Sequence, residues 1–361
     1  MTKKSRPPKR RTVDLQGLMF AAADKHFGLE SLSGSPSVIF EHGSFKEFNT
    51  SVANSRKHRD KIERAIERGD LQLVNHDIVE QFSEVHSRFH TLLHLEGVRV
   101  PPAVVRIQGQ VVPIGQPLPQ ESALWVKKVS VDETGKLSIH RGRGVSFLIP
   151  KAVGELIPKH DGEFYQQFVI PPDDYMRDIR VFVVGDKIIP GYVRRAAKKL
   201  TKANYSGLYP PTEEQFVTAE HPGIVEPLEG KLAEKAIEAA RRVRTAVINR
   251  VKRGRPKFEK QDVFGFGSID FLLDADGEPV PIEFDTAPEI RDVGDLHDRL
   301  VAALSDYLVE KAEAHRIVRI FADAKQPLIR RLMAKLREKL PESRLKIKPT
   351  LADTVIKQLG K

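Results

Sequence analysis

The sequence predicts a mixed α/β and α+β protein of two or three packed lobes, and three observations predict it. Short apolar runs alternate with charged helical stretches between residues 36 and 98, the order of a small α/β unit. From residue 99 to about 300 the pattern turns to alternating strands punctuated by turn signals. Two of those strands carry three carboxylates, Asp270, Glu283 and Asp285, close to a tight turn. A chain of 361 residues is long enough to bury a substantial core.

The elements follow in order. Leu15–Phe27 reads as a short helix and Ser31–Pro36 as a loop. Ser37–Phe40 (SVIF) reads as a strand, Arg56–Arg68 as a charged helix and Leu71–Val74 (LQLV) as a second strand. An amphipathic helix over 77–95 places Ile78, Phe82, Val85, Phe89 and Leu93 on one face. Gly97–Pro102 ends it and feeds the strand AVVRI. LWVKKVSV and KLSIHRG flank a turn at Asp132–Gly135, FYQQFVI follows, and DIRVFVVGDKIIPGYVRRA turns back at Gly185 and Asp186. Residues 231–251 form one helix with Leu232, Ala236, Ala240, Val243, Val247 and Val251 on a stripe. A helix over about 296–314 and a basic amphipathic helix near 327–340 (Leu328, Leu332, Leu336, Leu340) close the chain. The expected division is a basic tail and short helix (1–35), an α/β unit (36–98), a central domain (99–300) and a basic helical extension (301–361).

Composition narrows the function. The 40% hydrophobic and 30% charged content reads as globular and soluble, without an apolar run able to span a bilayer. The absence of cysteine excludes disulfides, thiolate metal sites and cysteine nucleophiles, and fits a cytoplasmic location. MTKKSRPPKRR has no apolar segment of the secretory type. The net charge of +10 is carried by the ends: residues 1–11 hold +6, residues 325–361 hold +8, and the stretch between them is −4. Two basic tails on a near-neutral body suit either contact with RNA or a ribosome, or solubility alone.

The carboxylates carry the most chemistry. Asp270 lies in FGSIDFLL, Glu283 and Asp285 lie in PVPIEFDTAP, and Asp274-Ala275-Asp276-Gly277 between them is a hairpin signal. Residues two apart on a strand share a face, so Glu283 and Asp285 point one way and Phe284 the other. Pairing the strands brings Asp270 alongside. Three hard oxygen donors on one face suit magnesium bound to a substrate phosphate; the other reading is a solvated strand face. His86, His90 and His94 recur every four residues, a spacing that can bind zinc. They lie beside the apolar stripe of their helix, which favours a solvated flank instead.

Walker A, GxGxxG, HExxH and GxSxG sequences are all absent. Over roughly residues 95–292 the chain instead resembles the ATP-grasp carboxylate–amine ligases, nearest the branch of glutathione synthase and the ribosomal-protein glutamate ligases. Four segments carry the resemblance: GVRVPPAVV, then LWVKK with RGRGV beyond it, then FYQQFV followed by DIRVFVVGDKI, and the carboxylate hairpin.

The resemblance implies an ATP-grasp fold: two α+β lobes sandwiching a nucleotide, preceded by an N-terminal pre-ATP-grasp-like α/β unit and followed by basic C-terminal helices. It implies that Lys127, or second Lys128, holds nucleotide phosphate together with the glycine loop of Gly142 and Gly144. Gln167, Phe168 and Val169 match the hinge that binds adenine, with Asn204 as a further polar position. Arg180 and Arg194 or Arg195 match positions facing phosphate or a substrate carboxylate. Asp270, Glu283 and Asp285 match the ligands of magnesium, for which manganese can substitute. The implied reaction is ATP-dependent: a carboxylate becomes an acyl phosphate and an amine displaces phosphate to form an amide, on an amino acid, peptide or protein. The family ends its metal motif in asparagine where this chain has Asp285, and the stretch from Lys127 to Gly142 is longer than in its relatives. Both departures keep a second reading open, that of a basic RNA- or ribosome-binding factor on a degenerate scaffold.

Overall fold

The computed structural model describes residues 37–42, 64, 68, 70–74, 86–115, 125–128, 145–148, 158, 163–217, 223–254, 265–285, 288–312, 316–322 and 325–348. In chain order the first strands are β1 (Ser37–His42), β2 (Leu71–Leu73), β3 (Ala103–Ile107), β4 (Gln110–Ile114) and β5 (Trp125–Lys128). Then come β6 (Val145–Leu148), β7 (Phe164–Gln167), β8 (Arg177–Val184), β9 (Lys187–Arg195) and β10 (Ile224–Pro227). The last are β11 (Phe266–Leu273), β12 (Pro279–Asp285), β13 (Ile317–Ala322) and β14 (Leu345–Lys348). The helices are α1 (His86–Leu95), α2 (Lys202–Tyr205), α3 (Gly230–Gly254), α4 (Leu296–Ala312) and α5 (Pro327–Lys339). The strands form three sheets, ordered β14-β13-β1-β2, β4-β3-β7-β5-β6 and β10-β9-β8-β11-β12. No helix among the described residues is long and apolar enough to cross a membrane.

The first sheet is parallel and joins distant parts of the chain. β1 pairs with β2 on one side and β13 on the other, and β13 with β14. The expected basic helical extension therefore needs correction: α4 and α5 are there, but residues 317–322 and 345–348 are strands completing the N-terminal sheet. Apolar faces explain the docking. Leu328, Ile329, Leu332, Met333 and Leu336 of α5 pack in one core with Leu300, Leu304 and Leu308 of α4 and Val318 and Ile320 of β13. The tail's charge sits on the opposite face, where Lys339 reaches Asp306 at 2.5 Å and Arg331 reaches Asp298 at 3.0 Å.

The other two sheets are antiparallel throughout. The predicted hairpins are present, β8 turning into β9 at Gly185 and Asp186 and β11 into β12 at Asp274–Gly277. In the second turn Gly277 takes φ +71, which favours glycine, and Asp274 Oδ1 accepts from the amides of Asp276 (3.0 Å) and Glu278 (2.9 Å). Asp274 also pairs with Arg99 at 2.7 Å, fastening the turn to the segment entering β3.

The β10-β9-β8-β11-β12 sheet has two unlike faces. On one, Ile179, Val181, Val183, Val193, Ile269, Phe271 and Phe284 bury themselves with the Ala236, Ala240, Val243 and Val247 stripe of α3 and with Phe89 and Leu93 of α1. On the other, Phe182, Val184 and Phe266 are covered by α4 at one end. At the opposite end Leu272 packs near Val126 of β5 and near Phe168 and Met176, the first and last residues of the β7–β8 connection. Polar side chains occupy the strip between. Two close approaches set this geometry: a Cβ on Gly191 would lie 2.5 Å from the Arg180 carbonyl, and one on Gly267 would lie 2.6 Å from the Phe284 ring. Gly191→Ala should therefore destabilise the protein by about 1–3 kcal/mol, read as a lowered urea midpoint; an unchanged midpoint would contradict the packing at β8–β9.

Candidate active site

The polar strip is built from strand register. Asp270 of β11 stands opposite Arg180 of β8 and Glu283 of β12, and Arg180 stands opposite Tyr192 of β9. One step along, Ser268 faces Asp285; in the other direction Leu272 faces Asp178, which faces Arg194. Alternation puts all of these on one face. Arg180 grips Asp270 with two parallel bonds, Nε to Oδ1 at 2.8 Å and Nη2 to Oδ2 at 2.5 Å, and both side chains are buried. Ser268 Oγ donates to Asp270 Oδ1 at 3.2 Å. Arg180 Nη1 also donates to the Glu289 carbonyl at 3.1 Å, and the Tyr192 hydroxyl donates to the same oxygen at 2.9 Å. The segment after β12 is thereby drawn over the strip.

The two buried arginines differ electrostatically. Burial alone would lower the Arg180 pKa, but Asp270, with Tyr192 and Asp285, outweighs it and holds the group well above the usual arginine value. Arg194 pairs with Asp178 yet its pKa is lowered, first by burial and, against the pull of Asp270, also by the like charge of Arg291. Burial pushes the Tyr192 phenol up to about 12 although Arg180 opposes it. Tyr192, Asp178 and Arg291 were not singled out by sequence reasoning. Register against the DIR segment could have revealed the first two, whereas Arg291 lies outside any strand.

The remaining expected site residues are placed as follows. Lys127 and Lys128 are on β5, opposite Tyr165 and Phe164 of β7. Gln167, Phe168 and Val169 are buried at the end of β7, and the Gln167 amide donates to the Pro102 carbonyl at 2.7 Å. Arg195 stacks over the Tyr175 ring at 4.6 Å. Asn204 is buried inside its own loop: Oδ1 accepts from the amide and hydroxyl of Thr201, both at 2.8 Å, and Nδ2 donates to the Tyr209 carbonyl at 3.1 Å. The structure thus engages its amide in loop shape. Gly142 and Gly144, the Leu15–Phe27 helix, the Ser31–Pro36 loop and most of the Arg56–Arg68 helix lie outside the described residues. The reading of His86, His90 and His94 as a solvated flank needs correction at one position. His94 is exposed, but His90 is fully buried, its Nε2 donating to the Ile282 carbonyl at 3.0 Å and its ring edge-on to Phe164 at 4.9 Å. Packing between β12 and β7 leaves that ring no route to solvent.

Two antiparallel sheets joined through the segment from Gln167 to Met176, with a carboxylate–guanidinium strip on the face turned toward that joint, match the architecture expected from the four segments. The described residues form a mixed α/β fold with one parallel and two antiparallel sheets. No protein-family model matches it, and no curated protein does. Solved structures of several enzymes do match in part. The VanG D-Ala:D-Ser ligase of Enterococcus faecalis is 18% identical over 63% of this chain and 59% of its own, with a TM-score of 0.35. D-alanyl-alanine synthetase A of Vibrio cholerae is 13% identical over 71% and 72%, at 0.40. Biotin carboxylase of Campylobacter jejuni, in a complex with β,γ-ATP, is 14% identical over 75% and 53%, at 0.41. The chain spans about half to three fifths of the VanG and biotin carboxylase chains.

The donor set of this strip suits a hard divalent cation, because its side-chain acceptors are carboxylate oxygens. Glu283 and Asp285 are half-buried and two apart on β12, while both Asp270 oxygens are engaged by Arg180. Among the described residues no three acidic, histidine or cysteine side chains close into a metal cage. Magnesium needs no such cage: it keeps waters and takes one or two carboxylates beside substrate phosphates. Removing one partner of a buried ion pair strands the other, at about 3–5 kcal/mol. Arg180→Met should cost stability on that order in urea unfolding, and adding Asp270→Leu should recover most of it. A single variant as stable as wild type would overturn the pairing.

Proposed function

We propose that this chain is an ATP- and magnesium-dependent ligase that joins a carboxylate to an amine through an acyl phosphate. The observation that carries the reading is the strip itself: Glu283 and Asp285 beside the clamped Arg180–Asp270 pair, on the face turned to the β7–β8 joint. Glu283 and Asp285 would hold magnesium, with Asp270 next to them across β11. When bound, magnesium neutralises phosphate charge and polarises the γ-phosphoryl group. Lys127, or Lys128, would add charge from β5, and Gln167, Phe168 and Val169 would seat adenine.

The chain's own groups then act by position and charge, with no covalent protein nucleophile. Arg180, kept charged by Asp270, is oriented before any substrate arrives. A substrate carboxylate oxygen attacks the γ-phosphorus as the bond to the β-phosphate oxygen breaks, releasing ADP. The amine nitrogen then attacks the acyl carbon, phosphate departs with the bonding electron pair, and the nitrogen loses a proton. The buried walls supplied by Leu272, Phe168 and Val126 support exclusion of water from the acyl phosphate.

Glu283→Ala should abolish ADP release in a coupled assay with magnesium-ATP while leaving the circular dichroism spectrum unchanged; turnover at the wild-type rate would sink the metal assignment. Magnesium-ATP should also raise the wild-type melting midpoint, because a ligand that prefers the native state stabilises it. No shift would favour a non-catalytic binding protein.

A further inference from the structure

Helix α3 concentrates positive charge within the near-neutral body of the chain. Residues 239–254 hold six basic residues and no acid, a net +6 equal to that of residues 1–11, and five of the six are arginine. The helix buries Ala236, Ala240, Val243, Val247 and Val251 in the core beneath the apolar face of the β10-β9-β8-β11-β12 sheet. Its outward side therefore faces away from the polar strip. With about 3.6 residues per turn, Arg242, Thr245, Asn249 and Lys252 line up opposite the buried stripe, with Arg241 and Arg253 at the flanks. All six are exposed. At about 1.5 Å per residue the row from Arg242 to Lys252 is about 15 Å long.

Little within the molecule neutralises this row. The nearby carboxylates pair with other members of the helix: Glu238 with Arg241 at 3.4 Å, Glu96 with Arg253, and Asp186 with Arg244. Arg242, Arg250 and Lys252 have no carboxylate partner among the described residues. Exposed ion pairs are weak, so Arg241 and Arg253 can exchange theirs for a stronger anion. The helix dipole favours cations only in the last turn, which accounts for Lys252 and Arg253 but not for Arg241 and Arg242 about three turns earlier.

We propose that the outward face of α3 from Arg241 to Arg253 is a docking surface for structured RNA, held through its phosphate backbone. Guanidinium groups grip phosphate with two bonds, and threonine and asparagine side chains, interleaved here as Thr245 and Asn249, are phosphate and hydroxyl partners as well. An anionic membrane fits less well, because a surface-lying helix must bury an apolar face and that of α3 is already spent on the sheet. An acidic protein would need apolar or aromatic anchors, and the outward row has none. B-form DNA admits a free helix into its major groove, whereas α3 lies flat on a core shared with α1. A flat row suits the wide, shallow minor groove of A-form RNA, which displays phosphates and 2′-hydroxyls together. The surface lies on the far side of the sheet from the candidate active site, and the proposal stands apart from the ligase reading.

Fluorescence anisotropy of a labelled RNA duplex of about 16 base pairs, titrated with the full chain, tests this. For about four phosphate contacts, affinity should fall roughly a hundredfold between about 50 and 200 mM salt. Arg242→Gln, Arg250→Gln and Lys252→Gln together should weaken binding at least tenfold and reduce the salt slope by about 2–3, with circular dichroism and ADP release as in the wild type. Arg330→Gln, Arg337→Gln and Lys346→Gln remove the same charge from α5 and β14 and should change the affinity by less than about twofold, because screened charges act only nearby. The surface is overturned if the duplex does not bind at the lower salt, if the α3 variant binds as wild type does, or if the α5–β14 variant loses as much. Equal affinity for a DNA duplex of the same length, or displacement of the RNA by phosphatidylserine vesicles or polyglutamate at equal charge, would overturn the choice of partner.

Discussion

The buried pair of Arg180 and Asp270 is the constraint on which the rest of the site depends. Its two parallel hydrogen bonds join β8 to β11, and a third bond from the same guanidinium fixes the Glu289 carbonyl beyond β12. Charges removed from water must be paired and fully hydrogen-bonded, or burial costs more than the attraction returns. Here Ser268 and Tyr192 complete the set, the first donating to Asp270 and the second sharing the Glu289 oxygen. The pair thus fixes strand register and the course of the following segment together.

The surrounding architecture keeps that pair dry without closing the strip. α3 and α1 cover the apolar face. α4 covers one end of the polar face, and the β5–hinge cluster borders the other. Between them Glu283 and Asp285 keep partial exposure. The bulges in β8–β9 and β11–β12 fall directly beside Arg180 and Asp270. Such irregularities re-aim side chains, and here they occur where aim matters.

Much of this was legible along the chain because it is written in short-range patterns. The β8–β9 and β11–β12 hairpins, the α3 stripe and the common face of Asp270, Glu283 and Asp285 all follow from periods of 2 and 3.6 and from turn residues. β13 is not legible in the sequence because Arg319 interrupts IVRIFA, and a strand buried on both faces normally reads as an unbroken apolar run. His90 reads as solvated in the sequence because its helix shows its apolar stripe on another side; its burial comes from a second contact, with β12 and β7, that no helical period encodes. Asn204 read as a polar site residue, but the structure turns its amide inward to Thr201, Gln215 and Tyr209.

By itself the sequence determined the local elements, the hairpin turns and which carboxylates share a face, since each depends on residues a few positions apart. Only the tertiary structure decided that the C-terminal strands complete the N-terminal sheet and that Asp270 is clamped by an arginine ninety residues away. It also decided that Arg291, Arg194 and Asp178 each keep a buried polar atom without a hydrogen-bond partner among the described residues. The physical reason is burial. Whether a charge is paired, stranded or solvated depends on everything packed around it, and that is a property of the assembled fold.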